Sequence, residues 1–263
     1  THRGTLFPYT TLFRSTGHFA DLDDDGRLLG GPLLKDLPPT RAAYETALRA
    51  VGQDSWKAGY SPYAIIDGYQ QLVRDFATYR VLTAVVAREK NRTRLAWYKA
   101  DLRRRETLTL RDIGVWAHYV GDAAQPLHDT VHYNGWDAKY PNPKGYTLDR
   151  IHGPFEENFV RDHVTIDMVR AQLPAPREGG PIDQRTIEYL SAGFAQVEPL
   201  YQMWKDGEFT GAAPKGTAFT VTRLAAGSAE LRDLITNAWR ESATATIGYR
   251  ESEISPAQAA SGE

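Results

Sequence analysis

"YAIIDGYQQLVRDFATYRVLTAVVAREK", Tyr63 to Lys90, is the longest periodic stretch in the chain. Ile65, Leu72, Phe76 and Leu82 recur at intervals that suit one face of a helix, and the run is several times too long for an ordinary strand. Its neighbours follow the same period. "PTRAAYETALRAVG" (Pro39 to Gly52) spaces Ala43, Ala47, Leu48 and Val51 helically and stops at a glycine. "LTLRDIGVWAHYVGDAAQ" (Leu108 to Gln125) reads as a helix that ends ahead of Pro126, because the residue before a proline is pushed out of helical geometry. Two further helices are expected within Ile182–Trp204 and Ser228–Ile247, separated by loops rich in Gly and Pro at Leu173–Gly180 and Gly207–Gly216. No repeat of fixed period appears. The expectation is an all-α fold: a single compact multi-helix domain over residues 17–250, with a disordered tail at 251–263.

Composition narrows the chemistry. With 263 residues, 41% of them hydrophobic, the chain can bury one sizeable core or two modest ones. Its 31 basic and 33 acidic residues leave a net charge of -2, which excludes the global basic field of non-specific nucleic-acid binders. There is no cysteine, so disulfide scaffolds and thiolate metal sites are excluded and a transition-metal site must be built from His, Asp and Glu. The apolar run "VLTAVVA" (Val81 to Ala87) is far short of the roughly 20 residues a membrane span needs, so no stable membrane insertion is expected.

The start of the chain is set aside. "TLFPYTTLFRS" (Thr5 to Ser15) shows neither helical nor strand period and resembles the translation of a sequencing-adapter oligonucleotide. Residues 1–16 are therefore expected to be artefactual or disordered, with the natural upstream sequence lost.

"AHYVGDAAQPLHDT" (Ala117 to Thr130) concentrates the titratable side chains. His118 and Asp122 lie four apart and share a helix face; His128 follows just after the helix breaks. A lone pair of this kind is more often a surface hydrogen bond than a metal site. Here "RIHGPFEENFV" (Arg150 to Val160) repeats the interval with His152 and Glu156, and "TGHFADLD" supplies His18. The candidate ligands are His18, His118, Asp122, His128, His152 and Glu156, a set that suits zinc. Between them, the 23 residues Asp129–Ile151 have no period, and loops of that length inside a domain are usually functional. Closing such a loop costs on the order of 3 kcal/mol, against roughly 10 kcal/mol or more returned by a structural-type zinc. Packing of Trp136, Tyr140 and Tyr146 is the alternative.

"HYVGDAAQPLH" with the downstream "HGPFE" resembles the superfamily of zinc-dependent phospholipases C and single-strand-specific zinc nucleases, and "GHFADLD" is similar to that family's upstream His-Phe segment. The resemblance implies a helical domain with three zinc ions in a cleft. It assigns one zinc to His18, His118 and Asp122, with Asp122 as the catalytic carboxylate bridging to a neighbour, and a second to His128, His152 and Glu156. Three further family ligands lie upstream of His18, where the adapter-like string stands, so only the second site is complete and weak or no activity is expected of this chain. The implied reaction is hydrolysis of a phosphodiester by metal-activated water, on a phospholipid headgroup or single-stranded nucleic acid, in the periplasm or outside the cell. The alternative from another class is a non-catalytic, zinc-stabilised helical binding domain.

Several other stretches invite a functional reading and are set aside. "DLDDDG" (Asp21 to Gly26) matches half a calcium loop, but Pro32 stands at the twelfth position where a bidentate Glu is needed. "NRT" (Asn91 to Thr93) fits a glycosylation acceptor by chance, "LRRRE" (Leu102 to Glu106) is expected to be a solvated turn, and Gly30–Gly31 lacks a following helix. His132 and His163 lie outside the motif spacings and are expected not to be ligands. Tyr133, Trp136, Tyr140 and Tyr146 are expected near the cleft, where they could stack on bases or line a headgroup pocket.

Overall fold

A computed structural model describes residues 15–262. Most of the expected artefactual segment, residues 1–14, lies outside them. The described chain is all-α in one compact arrangement, with isolated bridges such as Ala20 to Gly59 in place of strands. The helices are α1 (Arg41–Ala50), α2 (Ser55–Ala58), α3 (Ser61–Arg88), α4 (Arg92–Asp122), α5 (Val160–His163), α6 (Ile166–Ala171), α7 (Ile182–Phe194), α8 (Val197–Lys205), α9 (Pro214–Glu241) and α10 (Pro256–Ser261).

Helix α1 begins at Thr40, whose side chain accepts the Ala43 N–H, and ends ahead of Gly52, where φ of +74° favours a residue without Cβ. It buries Tyr44 and Leu48; Ala43 and Val51 face solvent. In α3 the residues read as inward are inward: Ile65, Leu72 and Leu82 are buried, and Phe76 packs edge-on against Trp239 of α9. Helix α4 starts much earlier than its apolar period, at Arg92, and takes in "LRRRE", read as a turn. Asn91 of "NRT" caps it by accepting the Thr93 and Arg94 N–H groups. Local capping and good helix formers thus extend a helix whose first two-thirds bury almost nothing. Helix α9 likewise starts at Pro214, a favourable first-turn residue, rather than at Ser228.

Helices α3 and α4 form an antiparallel hairpin, fastened near the site by the buried Trp116 indole, which donates to the Ile65 carbonyl at 3.0 Å. Gly68 makes room for that ring: a Cβ there would sit 2.1 Å from Trp116 Cδ1. Gly68→Ala is therefore expected to destabilise the fold by about 1–3 kcal/mol despite alanine's better helix propensity, through overpacking. Urea unfolding checks this; equal or greater stability in the variant would show that the two helices part freely.

Two apolar clusters make the core. One joins α1, α3, the end of α4, α7 and α9; the other lies beneath the Asp129–Ile151 loop and unites Leu127, Trp136, Tyr146, Phe155 and Tyr201. Phe194 touches both. The loop is thus fixed by aromatic packing. Tyr201 donates to the His132 carbonyl, and the His132 ring stacks on Trp136 at 3.7 Å. Trp136 and Tyr146 are spent in this core and do not line a cleft, so of the four aromatics expected there Tyr133 is the one well exposed. The tail expected to be disordered instead forms α10, capped by Ser255 and packed on α3 through the buried Ala259. The capping box supplies hydrogen bonds that a tail with Ile254 as its one large apolar residue did not advertise.

Candidate metal centre

Four local devices bring the six candidate ligands together. His18 ends a short 3-10 turn (Thr16–His18). His118 and Asp122 project from the last turns of α4, with Nε2 of His118 at 3.4 Å from Oδ2 of Asp122. His128 follows the break at Pro126, in a second 3-10 turn opened by Gln125, whose side chain accepts the Leu127 N–H at 2.6 Å. His152 leads into a π-helical segment, Pro154–Phe159, that carries Glu156, and His152 Nε2 lies 2.7 Å from Glu156 Oε2. Such wide turns are uncommon and concentrate at functional sites.

Two donor triads result. His128, His152 and Glu156 each offer an atom within 4.8 Å of the others, and so do His18, Asp122 and His128. Donors around a tetrahedral ion with bonds of about 2.0–2.1 Å sit about 3.4 Å apart, so either triad, though not both at once through the same His128 nitrogen, could hold a metal ion. The first triad is the set assigned to the second zinc. The second triad differs from its assignment: His128 stands in it, while His118 approaches through Asp122 and by stacking on His18 with ring centroids 5.7 Å apart. His128 is therefore common to both.

Hydrogen bonds orient these ligands. His152 Nδ1 donates to the Tyr133 carbonyl at 2.8 Å, which leaves Nε2 as the donor atom for a cation. Glu156 Oε2 also receives Gln125 Nε2 at 3.2 Å and faces His128 Nε2 at 3.3 Å. Gln125 is thus a part of the site that its place between the ligands did not assign. The end of α4 is held from behind: Tyr189 of α7 donates to the Val120 carbonyl at 2.7 Å, and Arg223 of α9 to the Ala124 carbonyl at 2.8 Å. These bonds satisfy terminal carbonyls that helix geometry leaves open. Asp129, beside His128, is fully buried with both carboxylate oxygens lacking a hydrogen-bond partner among the described residues, and burial raises its pKa well above the ordinary value.

The remaining titratable stretches serve the fold. The Asp23 carboxylate accepts the N–H groups of Asp25, Arg27 and Gly30, which closes the "DLDDDG" loop on itself. His132 is buried, pairs with Asp24 at 2.9 Å and accepts the Asp137 N–H; His163 stacks on Phe159.

Burial and mutual charge move the titrations of the cluster in opposite directions. Burial pushes Asp122 up from 3.8 to about 8, with the Glu156 charge adding and His152 opposing. Burial also lowers His128 and His118, so both favour the neutral, lone-pair form. At Glu156 burial is overcome by His128 and His152, which hold the carboxylate well below its usual range; at His152 burial is outweighed by Glu156, and the pKa rises.

A pH dependence follows. A raised folded-state pKa contributes stability that is complete below the unfolded value of 3.8 and is lost as pH rises towards 8. Asp21, pushed by burial and Asp137 to about 7, acts in the same direction, as does the raised His152. The lowered histidines act oppositely, but below their model value of 6.5. Between 6.5 and 8 the metal-free protein should therefore lose stability as pH rises, Asp122 alone contributing a slope of up to about 1.4 kcal/mol per unit. Urea titrations in chelator should give a flatter profile for Asp122→Asn; the same slope in both proteins would refute the assignment.

No protein-family model, curated protein or solved structure matches this chain.

Proposed function

We propose that this chain is a zinc-dependent phosphodiester hydrolase, of the phospholipase C and zinc-nuclease type that its motifs resemble. The observation that carries the reading is the convergence of two donor triads on the shared His128, from three segments far apart in sequence. A solvated ion pair has no need of such an arrangement, and a His/carboxylate set without cysteine favours zinc among the common metals. Bound at such a centre, zinc supplies Lewis acidity towards a phosphoryl oxygen and makes water more acidic.

The chain's own residues do the rest. A cation would be held by His128 with His152 and Glu156, or by His128 with His18 and Asp122, and His118 would hold Asp122 in place. Asp122, with two carboxylate oxygens, would be able to serve more than one ion, as its motif implies. Gln125 and the Tyr133 carbonyl keep Glu156 and His152 in register. None of the six candidate residues is a hydroxyl or a thiol, so the attacking oxygen is assigned to water. Export to the periplasm or outside the cell belongs to the same proposal.

The test is hydrolysis of bis(p-nitrophenyl) phosphate with added zinc, by this chain and by one in which a segment bearing Asp and His replaces the adapter-like residues 5–15; the weak or absent activity expected of the first makes the second the deciding protein. Turnover should vanish with chelator, return with metal, and fall at least about a hundredfold in Asp122→Asn, since loss of a group that merely orients a ligand already costs 10–100-fold. Absence of turnover in both zinc-loaded proteins would leave the non-catalytic binding domain as the better reading.

A further inference from the structure

Helix α4 is 31 residues long, about 46 Å, yet buries only Trp116 and Val120 near its end. Its outward face is not an ordinary charged surface. Trp97, Arg104, Leu108, Arg111 and Val115 are separated by seven, four, three and four residues and so form one row; the next steps of three and four reach His118 and Asp122. The row therefore runs about 37 Å straight into the metal centre. Trp97 is 58% exposed, Leu108 54% and Val115 46%; Leu110, on a second row with Arg92, Lys99 and Arg103, is 71% exposed. From Arg88 to Arg111 the chain carries nine basic and three acidic residues, although its total charge is -2. Lys90, Arg92, Lys99 and Arg103 have no carboxylate partner among the described residues.

Two exposed rows about 140° apart flank the outward face of α4: one carries Trp97, Leu108 and Val115 with Arg104 and Arg111, which pair with Asp101 and Asp112, and the other carries Leu110 with Arg92, Lys99 and Arg103, unpartnered among the described residues. Laid flat, such a face fits an anionic lipid interface: the cations meet headgroup phosphates and the apolar groups enter the acyl boundary. Single-stranded nucleic acid would need flat rings for stacking, and the α4 rows offer Trp97 against three aliphatic residues. We propose that the outer face of α4 docks the protein on anionic phospholipid bilayers and lays the metal centre at the lipid surface. Among the described residues no helix is long and apolar enough to cross a membrane, so this is adsorption, reversible and weakened by salt.

Co-sedimentation with phosphatidylserine/phosphatidylcholine vesicles tests the proposal. Chelator is present throughout, so the outcome is independent of the hydrolase reading. The protein should pellet with these vesicles and not with phosphatidylcholine alone. Lys99→Gln with Arg103→Gln should weaken partitioning about thirtyfold. Trp97→Ser with Leu108→Ser, which keeps every charge, should also reduce it. All four side chains are exposed, and circular dichroism verifies that the variants fold. The proposal is overturned by absence of vesicle binding, by binding that the variants leave unchanged, by retention of an oligothymidylate in its place, or by a dimer in light scattering that covers this face.

Discussion

Replacement of His128 by alanine is expected to strip the chain of all tightly held zinc, whereas His152→Ala should remove only part of it. His128 supplies a donor to both triads; His152 and Glu156 serve one, His18 and Asp122 the other. With His128 gone, each triad keeps two donors, fewer than the three protein ligands that hold zinc even at open catalytic sites. Phosphodiester turnover should fall with the metal. Elemental mass spectrometry on the two variants and the parent checks the pattern. Equal metal loss in His128→Ala and His152→Ala would mean that the His18–Asp122 end holds no ion of its own, and unchanged zinc in His128→Ala would overturn the shared-ligand geometry. Because His128 is buried, His128→Gln serves as a fold control that keeps most of the side-chain volume.

The largest stability effect is expected at Arg185, which is 2% exposed. Its guanidinium donates to both oxygens of Glu230 at 2.6 and 2.9 Å, lies 3.7 Å from Asp233 and reaches the Arg177 carbonyl at 3.3 Å. Removing Arg185 leaves the largely buried Glu230 carboxylate without a charge partner, while Asp233 keeps Arg232 at 2.7 Å and the Arg177 N–H, so Arg185→Ala should cost about 3–5 kcal/mol in urea unfolding. Arg185→Met, which fills the space without the charge, should not recover that loss while Glu230 remains; Arg185→Met with Glu230→Leu should recover much of it. A loss under about 1 kcal/mol in Arg185→Ala would mean that solvent reaches the carboxylates. The network clamps α7 to α9, the helices that hold the end of α4 through Tyr189 and Arg223. Weaker zinc binding should therefore accompany the destabilisation.

Helical period and the break at Pro126 were legible in the chain itself, because a helix writes its buried face into intervals of three and four and proline forbids its continuation. So was the pairing of His118 with Asp122 and of His152 with Glu156, since both pairs lie within single turns. The missing cysteine limited any metal site to His and carboxylates before any geometry was known. The early start of α4 was not legible: its first two-thirds pack little, and periodicity records burial rather than helicity. Nor was the role of His128 in both triads, which depends on how the turn after Pro126 meets the His18 turn across the fold. The aromatic residues of the long loop carried no sign of whether they would face a cleft or a core; packing against Tyr201 decided it. The pKa of Asp122 belongs wholly to the tertiary structure, because it is set by burial and by the charge of Glu156, 34 residues away in sequence.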